Sequence, residues 1–370
     1  MRPNGAAAPR RDAVLRLLAA IVGLAAATLV AALELIVLDV GQGTAVLVRA
    51  PDGRTALIDA GPASADVAAR LRGLGVDRLD LVVASHAHAD HIGGMPDVLR
   101  TFRPTWLLDN DLPHDTRTYE RTLEAALEAD VGLLAPERRT ITLGDVELHV
   151  LPPPGVAAWG QNDNSVGVRV EYGAFSAVLP GDAEPDQWAW WLDRHGDLLG
   201  SVSVHLAAHH GSRNGDTAEA LARLTPELVV VSAGRENRYG HPHPEALARY
   251  DRFAGSVLRT DRHGTVTIQA ERDGSFEVTV ERTPPAPDPS PEPAAPADVE
   301  PAPDRCVDLN RAPPERLTEI VHVGTDRAHA IVAARERAPF AAVDDLTRVS
   351  GIAAGRLADI RDEGLACVRP

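Results

Sequence analysis

His86-Ala87-His88-Ala89-Asp90-His91 places four side chains able to bind metal within six residues. The apolar run 79–84 before it reads as a buried strand, and Ile92-Gly93-Gly94 after it reads as a tight turn. Ligands at the end of a strand stand on a rigid base, with free backbone beyond them to wrap an ion. Imidazole suits zinc, manganese and iron, and the carboxylate adds charge that can hold a second ion close by. The bland alternative is a set of unrelated polar residues in a loop. A lone His would merit that reading; a cluster this dense does not.

Other short motifs follow in a fixed order: Asp39-Val40-Gly41-Gln42-Gly43, Asp59-Ala60-Gly61, Asn162-Asp163-Asn164-Ser165, Leu179-Pro180-Gly181-Asp182, His209-His210-Gly211-Ser212 and Tyr239-Gly240-His241-Pro242. With the HxHxDH string, this ordered set resembles the metallo-β-lactamase superfamily, and within it the extracytoplasmic domain of ComEC-type competence proteins, over residues 34–283. The resemblance implies an α/β fold, an αβ/βα sandwich with its site at one edge, and one or two divalent ions (Zn or Mn). In that pattern His86 and His88 hold one ion, Asp90 and His91 the second, and Asp182 bridges them. His241, in a Gly-His-Pro turn ahead of a helix, is assigned to metal. His209 and His210, with Asp90, are assigned to the reacting groups, and the swapped assignment stays open. Ordinary lactamases have one more His between the residues matching Asp90 and Asp182. Here His114 and His149 are the candidates, and neither has a supporting motif. Asn162, Asn164 and Ser165 occupy that order instead and, with Ser212, are expected to hold a water or a substrate oxygen. Asp59 and Asp39 are expected to orient ligands from behind. The implied chemistry is attack by a metal-activated water on an electrophilic centre, best suited to a phosphodiester of DNA, with no nucleotide cofactor; the alternatives are a hydrolase of a small ester or phosphodiester and a non-catalytic DNA-binding protein that keeps the fold.

Of the 370 residues 44% are apolar, enough for packed cores, and the net charge is −16. All 37 basic residues are Arg, and residues 34–283 carry 23 of them against 37 acidic residues, near −14. Such a surface repels polyanions and argues against loose, non-specific affinity for DNA. Arg2, Arg10, Arg11 and Arg16 precede an uncharged apolar run, 17–33, which is the pattern of an export signal or N-terminal membrane anchor over residues 1–33. The protein is therefore expected to be extracytoplasmic, secreted or membrane-anchored. With no further long apolar run, it is not expected to be a channel itself.

Short strand-like runs alternating with turns are expected over 35–59, helices at 63–74, 96–102 and 116–129, and further strands at 79–84, 146–151, 166–171, 175–179, 265–269 and 276–280. Two strand-then-helix units are expected within 202–224 and 228–250. Residues 284–304 hold nine Pro and five acidic residues, a stiff solvated linker that would let the flanking parts move independently. Residues 305–370 form the last segment. Cys306 and Cys367, the two cysteines of the chain, bracket it and read as a disulfide in an exported protein, with a pair of free thiols as the alternative. Val307-Asp308-Leu309-Asn310-Arg311-Ala312, Pro339-Phe340, Val343-Asp344-Asp345-Leu346 and Val349-Ser350-Gly351-Ile352 resemble the tandem helix-hairpin-helix module of ComEA-type DNA receptors, a small all-α domain. The resemblance implies DNA binding at the hairpin turns, through Gly324, Arg327, Gly351, Gly355 and Arg356. Two departures count against easy transfer: each turn keeps one Gly where two are common, and ten Arg balance ten acidic residues.

Overall fold

The alternation of apolar residues along the strands decides how the layers stack. Leu35 and Val37, Val46 and Val48, and Leu81 and Val83 face one core, while Ile36, Leu47 and Val82 between them face another. These central strands are buried on both faces, one against a second sheet and one against helices. The computed structural model describes residues 32–283, 306–320, 322–352, 356–357, 360–361 and 365–369. The expected signal or anchor and the Pro-rich linker lie outside the described residues. Among those described, no helix is long and apolar enough to cross a membrane.

In chain order the strands of the first sheet begin with β1 (Leu33–Val37), β2 (Val46–Arg49), β3 (Thr55–Ile58), β4 (Leu81–Val83), β5 (Trp106–Leu108) and β6 (Gly132–Leu134). The second sheet comprises β7 (Thr140–Leu143), β8 (Val146–Leu151), β9 (Gly167–Tyr172), β10 (Phe175–Leu179), β11 (Val204–Leu206), β12 (Leu228–Val231) and β13 (Ser256–Arg259). The chain then returns to the first sheet with β14 (Val266–Ala270) and β15 (Phe276–Val280). The strand orders are β15-β14-β1-β2-β3-β4-β5-β6 and β13-β12-β11-β10-β9-β8-β7. Helices α1 (Val67–Gly73), α2 (Ala89–Ile92), α3 (Met95–Phe102) and α4 (Arg117–Glu128) belong to the first half; α1, α3 and α4 cover the outer face of the first sheet. Helices α5 (Pro185–Arg194), α6 (Ala218–Leu224), α7 (Pro244–Phe253) and α8 (Thr260–His263) belong to the second half, where Trp188, Trp191, Leu221 and Tyr250 bury against the second sheet. This is the αβ/βα sandwich.

Several elements differ from the sequence expectation. The helix expected at 63–74 is broken at Asp66, whose φ of 46° ends a short turn and whose side chain caps α1 by accepting from Ala69 N. Strands β5, β6 and β7 have no expected counterpart, because three or four residues carry too little periodicity to read. Helix α5 was also unforeseen; its Trp-rich run 188–191 carries no helical pattern, yet Pro185 at its first position starts it.

The C-terminal part contains α9 (Pro314–Leu317) and α10 (Thr325–Arg337) around a core of Leu317, Ile320, Ile331, Phe340, Leu346 and Ile360. Cys306 and Cys367 are disulfide-bonded, Cα–Cα 5.7 Å, beside a two-residue parallel pairing of Val307 with Ala366. These helices do not stand apart from the sandwich, as a free linker would allow. Arg356, Arg327 and His322 all make polar contacts with it.

Candidate metal centre

The site assembles at the ends of central strands from both sheets. Asp59 follows β3 and Ser85-His86 follow β4, while Asp182 follows β10, His209-His210 follow β11 and Ser232 follows β12. The two halves are tied together there by Val166 N donating to Ser85 O, 2.8 Å, and by Ser232 Oγ donating to Gly43 O, 2.7 Å. Two glycines permit the approach. A Cβ at Gly43, where φ is +142°, would sit 2.2 Å from Asp90 O, and one at Gly181, φ +63°, would meet Ser165 and Ser85 at 2.9 Å.

The histidines are oriented from behind. Asp59, fully buried, accepts from Ser85 N (2.7 Å) and Ser85 Oγ (2.8 Å), and its Oδ2 lies 2.7 Å from His91 Nδ1. A carboxylate can only accept, so His91 carries its proton on Nδ1 and turns the Nε2 lone pair forward. His210 Nδ1 lies 3.0 Å from the Ser232 carbonyl oxygen, which fixes the same tautomer. The freed atoms then converge. His91 Nε2 is 3.2 Å from His210 Nε2 and 3.1 Å from Asp182 Oδ1; His210 Nε2 is 3.3 Å from Asp90 Oδ2. His86 Nε2 is 3.8 Å from Asp182 Oδ2 and 3.0 Å from His88 Nδ1. Two overlapping donor sets result, His86-His91-Asp182 and Asp90-His91-His210.

Lone pairs facing lone pairs and carboxylates at such distances need a cation between them. Asp182 Oδ1, buried without a hydrogen-bond partner, makes the same demand. Titration behaviour agrees. Burial penalises charge at both groups, yet Asp182 and Asp59 raise the His91 pKa well above its ordinary value, and His91, His210 and His209 hold Asp182 well below the carboxylate range. Burial, and then the neighbouring His91 and His88, push His86 down. The donor set of imidazoles and carboxylates fits a divalent ion such as zinc or manganese.

Other expected residues fall differently. His241 stands off the convergence: its Nδ1 lies 3.4 Å from Gln42 Nε2, and its ring centroid is 6.1 Å from that of His210. The swapped assignment therefore fits the geometry, with His210 among the ligand atoms and His241 on the wall of the cleft. The reason is backbone conformation. His209 and His210 have φ of 51° and 57°, a left-handed pair that swings the two rings to different sides. His209 faces the cleft, its Nε2 3.8 Å from Asp182 Oδ2 and its Nδ1 3.5 Å from Glu184 Oε1. His88 lines the same cleft, about 370 Å³, with Gln42, Asn162, Tyr239 and His241. His114 lies near it, its ring 5.9 Å from that of His88, whereas His149 pairs with Glu147 and Glu171 on the strands.

Asp39 is not behind the site; it accepts from Gly41 N and is paired with Arg282 at 2.7 Å. Asn164 accepts from Val156 N and donates to Val156 O and Gly160 O, which closes its own loop. Ser212 accepts from Asn214 N in a turn. Ser165 Oγ does reach inward, accepting from Asp182 N at 3.1 Å, and Asn162 donates to Glu184 Oε1. In the C-terminal part, Arg356 is buried against Asp163, Glu184 and Asp186 and so cannot meet a phosphate in this arrangement. Arg327 also turns to Glu184, at 3.4 Å. Gly324 and Gly351 remain at their turns, and Gly355 lies outside the described residues.

Sequence reasoning missed Glu184, Asp163, Gln161 and Asp216. Glu184, two residues past Asp182, carried a weak signal by position alone. Asp163 Oδ1 accepts from Glu184 N and Gln187 N, the opening of α5. Gln161 accepts from Ala87 N inside the HxHxDH string. Asp216 accepts from Ala208 N and pairs with His205 and Tyr250, steadying the backbone ahead of His209.

The fold and the donor set define a metallo-hydrolase class, and comparison with known proteins makes it specific. Residues 38–235 match the Metallo-beta-lactamase superfamily model, and residues 304–363 match that of the Helix-hairpin-helix motif. The chain belongs to the metallo-beta-lactamase superfamily, as a hydrolase fold related to competence proteins. It is 29% identical over 266 residues to ComE operon protein 3 of Bacillus subtilis, covering 66% of this chain and 34% of that protein. It is 30% identical over 239 residues to Competence protein ComA of Neisseria gonorrhoeae, covering 64% of this chain and 32% of that protein. A stretch of 65 residues is 46% identical to a Deoxyribonuclease of Thioalkalivibrio, 18% of this chain and 17% of that one. The chain thus spans about a third of the length of these competence relatives. Among solved structures it is similar to the metallo-beta-lactamase fold protein YhfI of Bacillus subtilis, with a TM-score of 0.43 and 14% identity, covering 67% of this chain and 100% of that one.

Proposed function

We propose that the protein is a metal-dependent phosphodiesterase acting on DNA at the cell envelope, with His86, His91, Asp90, Asp182 and His210 as the core of the metal-binding set and His88 beside them. The observation that carries this reading is the convergence of oriented imidazole Nε2 atoms on the Asp182 and Asp90 carboxylates. Ions bound there would supply positive charge for a phosphoryl oxygen and lower the pKa of an attacking water. Asp59 and the Ser232 carbonyl hold the His91 and His210 rings in place throughout. His209 faces the cleft on the side of Glu184, where a protonated imidazole can donate to a leaving oxygen.

DNA is favoured over a small ester by a second cleft of about 530 Å³ beside Asp90, whose walls include Arg121, Arg238 and Tyr239. Two guanidinium groups and a half-exposed aromatic ring suit the phosphates and bases of a strand. The competence relatives and the helix-hairpin-helix match support the same partner. Their association with DNA uptake and the N-terminal apolar run support export, with residues 34–283 as the hydrolase domain, 305–370 as the helical one and 284–304 linking them. The second reading, hydrolysis of a small phosphodiester, is favoured by the acidic surface. Full-length protein loaded with Mn²⁺ should degrade single-stranded DNA, and Asp182→Asn should abolish this. Cleavage of bis(4-nitrophenyl) phosphate with DNA left intact would select the second reading.

A further inference from the structure

Arg356 is a buried guanidinium in a part of the chain that nothing above ties to catalysis. Its side chain is 1% exposed, and its Nη2 meets Asp163, Glu184 Oε2 (3.3 Å) and Asp186 Oδ2 (3.4 Å), while Nη1 donates to Gly351 O. Arg327 Nη2 adds a second cation 3.4 Å from the same Glu184 oxygen. With Oε2 held by two arginines, Oε1 is left for Asn162 Nδ2 at 3.0 Å and His209 Nδ1 at 3.5 Å. Asp163, the other main partner of Arg356, also accepts the backbone N–H groups of Glu184 and Gln187 at the start of α5. On the far side of His209, His322 N donates to Asn214 Oδ1 at 2.7 Å, and Arg213 Nη1 donates to Glu319 O at 3.0 Å. The C-terminal part therefore grips both segments that bring Asp182 and His209 to the site.

We propose that Arg356, with Arg327, is a positioning residue: it fixes Glu184, and through Glu184 the His209 imidazole, so that the C-terminal helical part completes the hydrolytic site. The physical requirement is plain. Without the guanidinium, three carboxylates crowd together with one arginine near them, and mutual repulsion turns Glu184 away from His209. A ring so released loses the 3.5 Å contact that holds its Nδ1 edge against Glu184. The inference rests on the hydrolase reading for its kinetic arm alone; its spectroscopic arm stands without it.

The test uses full-length protein. In Arg356→Gln, kcat for bis(4-nitrophenyl) phosphate, too small to need the DNA cleft, should fall about tenfold with KM little changed. In the metal-free protein the His209 side-chain NMR resonances, assigned with a His209→Gln variant, should move away from their wild-type positions. Glu184→Gln should reproduce both effects, and the double variant should be no worse than either single one. Arg356→Lys keeps the charge but cannot span three carboxylates, so it should show the same changes in smaller measure if the Gln variant does not fold. Wild-type kcat together with unmoved His209 resonances, or fully additive losses in the double variant, would overturn the proposal and reduce Arg356 to a docking contact. If wild-type protein cleaves no diester while the resonances still shift, the hydrolase reading falls and the positioning inference survives.

Discussion

Asp59→Asn tests whether the metal site is built by tautomer control. The change keeps the size of the side chain and removes its charge. Asp59 is fully buried and uses its two oxygens on three donors, Ser85 N, Ser85 Oγ and His91 Nδ1, at 2.7, 2.8 and 2.7 Å. An amide has one accepting oxygen. Whichever way it turns, an NH₂ group faces either the Ser85 amide or His91 Nδ1. If His91 keeps its proton on Nδ1, two donors collide. If it moves the proton to Nε2, a hydrogen points at Asp182 and His210, where a lone pair is required. The loss is that of one buried charge-assisted hydrogen bond, roughly 1.5–3 kcal/mol, which at 1.4 kcal/mol per decade weakens metal binding about 10- to 100-fold. That is also the usual range for removing a residue that orients a ligand imidazole. Zinc or manganese affinity by chelator competition measures it, and ¹⁵N shifts of the His91 ring report the tautomer. Affinity within about threefold of wild type, with the ring still protonated on Nδ1, would refute the reasoning.

Four further outcomes follow from the same structure. Removing metal should leave a protein that loses stability as pH rises: His91 and His210 have raised pKa values in the fold, so their contribution is complete below about 6.5 and fades as pH climbs through the folded values. Thermal melts from pH 6.5 to 9 with and without metal check this, and the metal-loaded protein should show a much flatter dependence. Arg121→Ala with Arg238→Ala should raise KM for single-stranded DNA and flatten its salt dependence while sparing bis(4-nitrophenyl) phosphate, measured by steady-state kinetics. Replacing both Cys306 and Cys367 by Ser opens a loop with a sequence separation of 61; unfolding of the C-terminal part should move by about 4 kcal/mol in the chain-entropy model, read by denaturant titration. Tyr250→Phe removes the 2.9 Å hydrogen bond to Asp216, and should cost roughly 1.5–3 kcal/mol in the same assay because the acceptor is a buried carboxylate.

Much of the site was legible because its chemistry is local. His86, His88, Asp90 and His91 lie in one string after β4, and Asp182 follows β10 with a glycine before it, so their placing around one site follows from order and residue type. The choice between His210 and His241 was not local. It depends on two consecutive left-handed residues and on the carbonyl of Ser232, 22 residues beyond His210, neither of which leaves a mark in the pattern. Asn164 and Asp39 failed for the opposite reason. Both sit in motifs of the right order, yet an Asn side chain satisfies loop backbone as readily as it binds a ligand, and an Asp meets any arginine the fold brings near.

Net charge reads differently at the scale of one cleft. The acidic balance of residues 34–283 argues against loose, non-specific affinity for DNA, but a sum over the surface is not the field at one cleft. Three of the carboxylates on the rim, Asp163, Glu184 and Asp186, are matched by Arg356 and Arg327 from a segment outside that sum. Arg121 and Arg238 meanwhile stand on the wall of the cleft beside Asp90. The C-terminal segment is neutral by composition, with ten Arg against ten acidic residues. In the fold two of its arginines, Arg356 and Arg327, are spent on the acids nearest the metal site. A chain can thus be acidic overall and still present an approach suited to a phosphate backbone. The ionic strength at which DNA cleavage fails should consequently fall further for Arg121→Ala than for a charge removed from the distant strand edge at Arg272, whose partner Asp145 is exposed.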